Sequence, residues 1–234
     1  MCTVIVHVPS DAGAAVRLLA VRDEDPARAW DPLGAWWPER PSLVGVRDTR
    51  AGGAWLAADP GAARLAVVLN RADLLDDADA TGSRGHIVLD AVAGEPLPAS
   101  PPMHGFNLVE VTPGRARVSM WDGDSVRTVD LPPGVHMIAH DDVDDSQTAR
   151  IVAWRDVFGE PGDGERWWEG WLAQLAGTAE LEPTDDRAII RDNRPYGYPT
   201  LSLLVCAASV STEGAQVVYG ELDEPGRWNA LDLR

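Results

Sequence analysis

The chain has 234 residues, of which 45% are hydrophobic, a composition typical of a folded globular protein with a core of its own. Acidic residues outnumber basic ones by 37 to 20, which gives a formal net charge of −17. A chain this negative is repelled by a phosphate backbone, so we expect no nucleic-acid partner, and its two cysteines are too few for a disulfide framework.

The amino-terminal segment 1–20 lacks the basic start and the long apolar run of a signal peptide. No stretch of the chain reaches the roughly 18 consecutive apolar residues that a membrane span needs. Together with the few cysteines, these observations predict a cytoplasmic protein without a membrane span, folded as a single domain over residues 1–234.

Short apolar or β-branched runs bounded by glycine, proline and aspartate predict strands through the first third of the chain. These strands are Thr3–Val8, Leu18–Val21, Leu43–Arg47, Ala54–Ala58 and Leu65–Leu69. Ile87, Val88 and Ala91 fall on one helical face, so a helix is expected over Gly85–Ala93.

A second series of strands follows, with Phe106–Val111, Ala116–Trp121, Val126–Leu131 and Val135–Ala139 as its members. Asp122 and Gly123 lie between two of them, and this pair tolerates the positive φ angles of a tight turn, which predicts a β-hairpin.

After residue 144 the apolar spacing becomes helical, and two amphipathic helices are predicted. Ile151, Trp154 and Phe158 mark the first, and Trp168, Trp171, Leu172 and Leu175 mark the second. Leu201–Ser209 and Val217–Leu222 then have the composition of central strands covered on both faces. Strands on both sides of a helical pair indicate a layered α+β domain, and no Gly-rich phosphate-binding motif supports a dinucleotide-binding fold.

Cys2 is the strongest candidate for a catalytic residue. Once Met1 is removed, which the small second residue permits, the chain begins with a residue that carries both a thiol and an α-amino group. The α-amine has a pKa of about 7.7–8.0 and can accept the thiol proton near neutral pH. This is the logic of an amino-terminal nucleophile; the alternative is a cysteine at position 2 by chance.

An ordered set of short motifs over residues 2–109 resembles the NRDE family, the family of transport and Golgi organisation protein 2. The motifs are the initial Met-Cys, Leu-Ala-Val-Arg-Asp-Glu at 19–24, Gly-Gly-Ala-Trp-Leu at 52–56, Leu-Asn at 69–70 and Gly-Phe-Asn-Leu at 105–108. The chain departs from the family at Val21, where the signature has asparagine. It also has Gly-Tyr-Pro-Thr at 197–200, where the family often has Gly-Thr-Arg, so a late active-site arginine is not evident.

The resemblance implies an N-terminal-nucleophile (Ntn) hydrolase-like fold, an α+β four-layer αββα sandwich of two antiparallel sheets. It also implies that Cys2, Arg22, Asp23, Asn70 and Asn107 form the catalytic site, with no cofactor and no metal. Arg22 is expected to favour the thiolate, Asp23 to orient the amine, and an asparagine amide to contact the oxyanion. A salt bridge, a turn cap or an Asx-turn is the alternative role for each of Arg22, Asp23, Asn70 and Asn107.

Other residues are weaker candidates. His136 and His140, with the aspartates that follow them, have the composition of a metal site, but we favour an acidic cap on a helix that begins near Ser146. Most of the ten tryptophans are expected in the core, and any exposed ones are candidates to line a pocket for an acyl chain or a porphyrin. Cys206 lies in an apolar strand and is expected to be inert.

Two classes of function remain. The first is a hydrolase whose amino-terminal cysteine attacks a non-peptide amide or a related acyl bond of a small molecule. The second is a non-enzymatic protein that binds or transports haem or an acyl ligand on the same fold, because a fold does not fix a function.

Overall fold

The computed structural model describes residues 2–76 and 78–234. Twelve strands form two antiparallel sheets. They are β1 Thr3–Val8, β2 Val16–Glu24, β3 Trp30–Gly34, β4 Val44–Asp48, β5 Ala54–Asp59, β6 Arg64–Asn70, β7 Phe106–Thr112, β8 Arg115–Trp121, β9 Val126–Asp130, β10 Gly134–Ile138, β11 Leu201–Ser211 and β12 Gly214–Glu221.

The seven-stranded sheet is a meander in which β3 to β9 follow one another in chain order. Its β8–β9 connection is the predicted hairpin, with Trp121 paired to Val126 and Gly123 at a φ of +94°. The Asp122 carboxylate accepts hydrogen bonds from the backbone N–H groups of Asp124 and Ser125, which closes the turn.

The five-stranded sheet has the order β10-β1-β2-β11-β12, so it joins the two ends of the chain. β1 pairs with β2 from Thr3↔Val21 to His7↔Arg17, and a turn at Asp11 links the two strands. β11 then inserts between β2 and β12, so residues about 180 positions apart lie side by side. The hairpin formed by β1 and β2 thereby lies at the centre of a sheet.

Three α-helices cover the outer faces of the sheets: α1 Arg84–Ala93, α2 Ala149–Trp154 and α3 Glu169–Thr178. α1 packs against β5, β6 and β7 of the seven-stranded sheet. Ile151 of α2 and Trp171 of α3 pack with Ile5 and Leu19 on the five-stranded sheet, on the face that points away from the other sheet. The predicted four-layer αββα sandwich is confirmed. None of the helices among the described residues is long and apolar enough to cross a membrane.

Two strands differ from the sequence prediction. β3 was not expected because Pro32 interrupts its pattern, but it lies at the edge of its sheet, where a missing N–H is tolerated. β12 was expected to be central, yet it is the other sheet's edge strand, with Gln216 exposed and Val217 and Val218 half-buried. The apolar composition correctly predicted a strand in the β12 segment. The position of a strand within a sheet, however, depends on partners that are distant in sequence.

The close approach of α1 to β5 allows a test of the packing. A methyl group at Gly53 would lie 2.4 Å from the carbonyl carbon of Gly85, so we expect Gly53→Ala to lower the free energy of unfolding by about 2 kcal/mol. Gly170→Ala is the matched control, because this glycine lies within α3 with open space where the methyl group would lie, and alanine should stabilise the helix by up to ~1 kcal/mol. Urea unfolding measures both, and an unchanged Gly53→Ala protein would show that α1 adjusts freely.

Candidate active site

The Cys2 side chain points between the two sheets and is held against β2. The backbone N–H of Asp23 donates a hydrogen bond to Sγ at 3.4 Å. The Cys2 thiol in turn donates to the backbone carbonyl oxygen of Asp23 at 3.6 Å. The residue is only 8% exposed. Burial, and next the nearby Asp23 carboxylate, raise the pKa of the Cys2 thiol. Arg22 lowers the pKa of this thiol, but the effects of burial and Asp23 are larger. The protonated thiol is therefore favoured at neutral pH.

Strand alternation places the two neighbours of Cys2 on opposite faces of β2. Arg22 faces the space between the sheets, with its guanidinium carbon 5.9 Å from the ring centroids of both Trp30 and Trp55. Its Nη2 donates to Glu24 at 3.3 Å. Arg22 is 2% exposed, so the two indole faces partly replace water around the cation.

The Asp23 carboxylate faces the helical layer of the five-stranded sheet. Its Oδ1 accepts a hydrogen bond from Ser202 at 2.6 Å, and its Oδ2 accepts one from the Asn193 amide at 3.2 Å. The side-chain oxygen Oδ1 of Asn193 accepts in turn from Nε of Arg191 at 3.0 Å. Asp23 and these three partners are all buried. Asp23 is thus fixed by groups that follow it by about 170 positions.

A second buried arginine lies on the same side. Arg150 of α2 donates from Nη1 to the Thr3 hydroxyl at 3.0 Å and is 2% exposed. Burial, and then the positive charge of Arg191, lower the pKa of Arg150 to about 10, while Asp23 acts against this. Two buried cations, Arg150 and Arg191, therefore lie on the helical side of β1 and β2. Arg191 precedes residues 197–200, where the sequence showed no late arginine.

Four of these polar residues were not predicted from the sequence: Arg150, Arg191, Asn193 and Ser202. Ser202 had a usable signal, because it is a polar residue near the start of an otherwise apolar strand. Arg150 had none, since an arginine in an amphipathic helix is normally on its solvent face.

The two asparagine candidates have different surroundings. Asn70 ends β6, is exposed and lines the same cleft as Cys2. Asn107 is fully buried, and its amide donates to the carbonyl oxygens of Ala139 at 3.1 Å and Asp141 at 2.7 Å. Both of its amide hydrogens are used, so the structure does not place Asn107 as a donor to a substrate. It joins the seven-stranded sheet to the segment after β10.

Cys2, Arg22, Asp23 and Asn70 all line one cleft of about 510 Å³, which also includes Trp55. Its lining also includes the residues at the start of α1, from Gly82 to Gly85. This volume is large enough for a small-molecule substrate.

The histidines and aspartates near residue 140 have hydrogen-bond and ion-pair partners within the protein. Among the described residues, no group of three or more histidine, cysteine or acidic side chains could hold a metal ion. α2 begins at Ala149, later than expected, and its first turn contains no acidic residue. Directly before it, Asp145 accepts hydrogen bonds from the Gln147 backbone N–H at 3.2 Å and from the Thr148 hydroxyl at 2.7 Å. Asp144 instead binds His136 Nδ1 at 2.7 Å, and Asp142 pairs with arginines.

Cys206 and most tryptophans occupy the positions that were expected. Cys206 is completely buried, and burial raises its pKa to about 12. Trp37, Trp167, Trp168 and Trp171 are all less than a tenth exposed. Trp55 is buried as well, but it also forms part of the cleft wall.

Comparison with known proteins gives a matching family and similarity to solved structures. Residues 1–158 match the family described as Transport and Golgi organisation 2. No curated protein sequence matches the chain. Among solved structures, the chain is similar to the Caenorhabditis elegans N-acylethanolamine-hydrolyzing acid amidase (NAAA) ortholog. The sequence identity is 11%, the TM-score is 0.48, and the similarity covers 88% of this chain and 92% of that chain. The matched segment 1–158 contains all residues that line the Cys2 cleft.

Proposed function

The chain belongs to the Transport and Golgi organisation 2 family, and from this premise we propose that it is a hydrolase that attacks an amide or related acyl bond with an amino-terminal Cys2. The substrate is a small molecule and not a peptide chain. The observation that carries the proposal is the position of Cys2 Sγ, held by the Asp23 backbone in the wall of the 510 Å³ cleft.

The raised pKa of Cys2 explains why the α-amino group is needed. A thiol that stays protonated at neutral pH is a weak nucleophile unless a base removes its proton during attack. The α-amine of an amino-terminal Cys2 is attached to the same residue, and its usual pKa of about 7.7–8.0 makes it a base of suitable strength. Asp23, which Ser202 and Asn193 fix in place, then stabilises the ammonium form.

The reaction proceeds in two steps. Sγ bonds to the acyl carbon while its proton passes to the α-nitrogen, and the carbonyl becomes an oxyanion. The C–N bond then breaks as the ammonium returns the proton to the leaving amine, which gives a thioester. Water attacks the thioester, the α-amine again takes and returns the proton, and the acid is released with free Cys2.

The Asn70 amide is our proposed side-chain donor to the oxyanion, because it is exposed at the cleft that contains Cys2. We assign Asn107 a positioning role, since its amide hydrogens already join β7 to the backbone after β10.

The test of the proposal is hydrolysis of a panel of acyl-amino acids by protein that begins at Cys2. We expect Cys2→Ala to lower turnover at least about a thousandfold, as removal of a nucleophile does, and Cys206→Ala to leave turnover unchanged. If the protein that begins at Cys2 cleaves no compound but binds haem or acyl ligands tightly, the carrier function replaces the hydrolase.

The reactivity of the two thiols gives a separate prediction. Iodoacetamide should label Cys2 well before Cys206, because Cys2 borders the cleft whereas Cys206 is completely buried with a pKa of about 12. Since the pKa of Cys2 is raised above its ordinary value, its labelling rate should climb about tenfold per pH unit between pH 7 and 9. Peptide mass mapping measures both rates, and equal or faster labelling of Cys206 would contradict the assignment.

A further inference from the structure

The Cys2 cleft is rich in arginine although the protein as a whole is strongly acidic. Its walls contain Arg22, Arg28, Arg50 and Arg84. Glu24, Asp48 and Asp23 are the carboxylates of the same walls, and the Asp23 carboxylate is turned to the other face of β2, where Ser202 and Asn193 bind it. In a chain of net charge −17, this excess of cations marks the cleft as a local exception.

Among the described residues, two of these arginines have carboxylate partners and two have none. Arg28 pairs with Asp48, and Arg22 pairs with Glu24 at 3.3 Å. Arg84 is half-buried, and in the described part of the chain its side chain binds only the Gly105 carbonyl oxygen, at 3.1 Å, with no carboxylate within ion-pair distance. A half-buried cation without a counter-charge is costly, so a ligand anion beside it would be stabilised.

Two buried donors in the same cleft also lack an acceptor among the described residues. They are Nη1 of Arg22, whose side chain is 3% exposed, and the indole N–H of Trp55, which is 6% exposed. An unsatisfied buried donor costs about 1–3 kcal/mol, which a ligand oxygen would recover. Both donors therefore indicate an acceptor-rich ligand in the cleft.

The start of α1 adds a third contribution of the same sign. Ser83 caps the helix by accepting from the Gly85 N–H at 3.3 Å, and the first turn contains no acidic residue. The cleft wall includes the residues from Gly82 to Gly85, so the positive end of the helix dipole borders the cavity.

We propose that the substrate attacked by Cys2 carries an anionic group, a carboxylate or a phosphate, which binds between Arg84, the start of α1 and the unsatisfied donors of Arg22 and Trp55. This inference rests on the proposed function for the identity of the nucleophile. The occupant is a small anion and not a polyanion, because the acidic remainder of the protein repels a long phosphate chain.

Binding to a Cys2→Ala protein tests this charge preference without turnover. Calorimetry compares three compounds of similar shape: N-octanoylglycine, its phosphonate analogue N-octanoylaminomethylphosphonate, and the neutral N-octanoylglycinamide. We expect at least one of the two anions to bind about tenfold or more tightly than the neutral amide at low salt. The preferred anion shows whether the natural group resembles a carboxylate or a phosphate.

Variants of the cleft locate the anion. Arg84→Gln should remove most of the preference, Arg84→Lys should retain part of it, and Trp55→Phe should weaken anion binding by about fivefold through loss of one hydrogen bond. Arg115→Gln is the matched control, because this arginine is 74% exposed on β8, outside the cleft, and the preference should not change. Added salt should lower the preference in the unmodified cleft.

The outcomes separate this inference from the proposed function. Equal binding of neutral and anionic compounds, or a preference that Arg84→Gln leaves intact, overturns the anion site even if hydrolysis is observed. A clear preference that depends on Arg84 supports the anion site even if protein that begins at Cys2 hydrolyses no compound of the panel.

Discussion

Protein that retains Met1 is expected to lose amidase activity at least about a thousandfold relative to protein that begins at Cys2, with little change in its free energy of unfolding. When Met1 remains, the nitrogen of Cys2 is part of a peptide bond and cannot accept the thiol proton. The raised pKa of the thiol increases this loss, because it disfavours the thiolate near neutral pH. The pairing of β1 with β2 starts at Thr3 and does not involve the free amine.

A removable amino-terminal fusion gives the matched pair of proteins. One protease site leaves Cys2 as the first residue, the other leaves Met1 before it, and intact mass verifies each product. Urea unfolding then compares stability, and an acyl-amino acid panel compares activity. Equal activity of the two proteins would show that the α-amine is not the base.

Asp23→Asn is expected to destabilise the protein by about 3 kcal/mol. The Asp23 carboxylate accepts from Ser202 on one oxygen and from Asn193 on the other, and an asparagine has only one acceptor oxygen to offer. The substitution also removes the negative charge that opposes the lowered pKa of Arg150, a cation that is 2% exposed. Removing a carboxylate charge that stabilises a buried cation is costly.

The control for this variant is Asp156→Asn, whose carboxylate is 85% exposed and pairs with its neighbour Arg155. An exposed ion pair contributes at most ~1 kcal/mol, so its stability should hardly change. Ser202→Ala should fall between the two, because it removes the hydrogen bond to Asp23 and the acceptor of the Arg191 backbone N–H but retains the carboxylate charge. Urea unfolding measures all three, and an Asp23→Asn protein as stable as Asp156→Asn would mean that Asp23 does not hold the buried arginines.

The sequence predicted the local elements well because their signals are local. Alternating apolar runs and turn residues located β1 and β2 and the hairpin at Asp122 and Gly123. The same alternation, with pairing of adjacent strands, brought Cys2 to Arg22 and Asp23, since only a short turn separates these strands. Each of these features depends on residues within about twenty positions of one another.

The tertiary structure decided which polar groups complete the site. Ser202 and Asn193 reach Asp23 only because β11 inserts beside β2, and Arg150 reaches Thr3 only because α2 packs on that face of the sheet. The same long-range packing used both amide hydrogens of Asn107 within the core and left Asn70 at the cleft. The sequence by itself therefore determined the strands, the layered fold class and the nucleophile candidate with its two neighbours. The partners of Asp23 and the arginine-rich cleft required the folded chain, because burial and charge compensation depend on contacts between residues far apart in sequence, which no local pattern records.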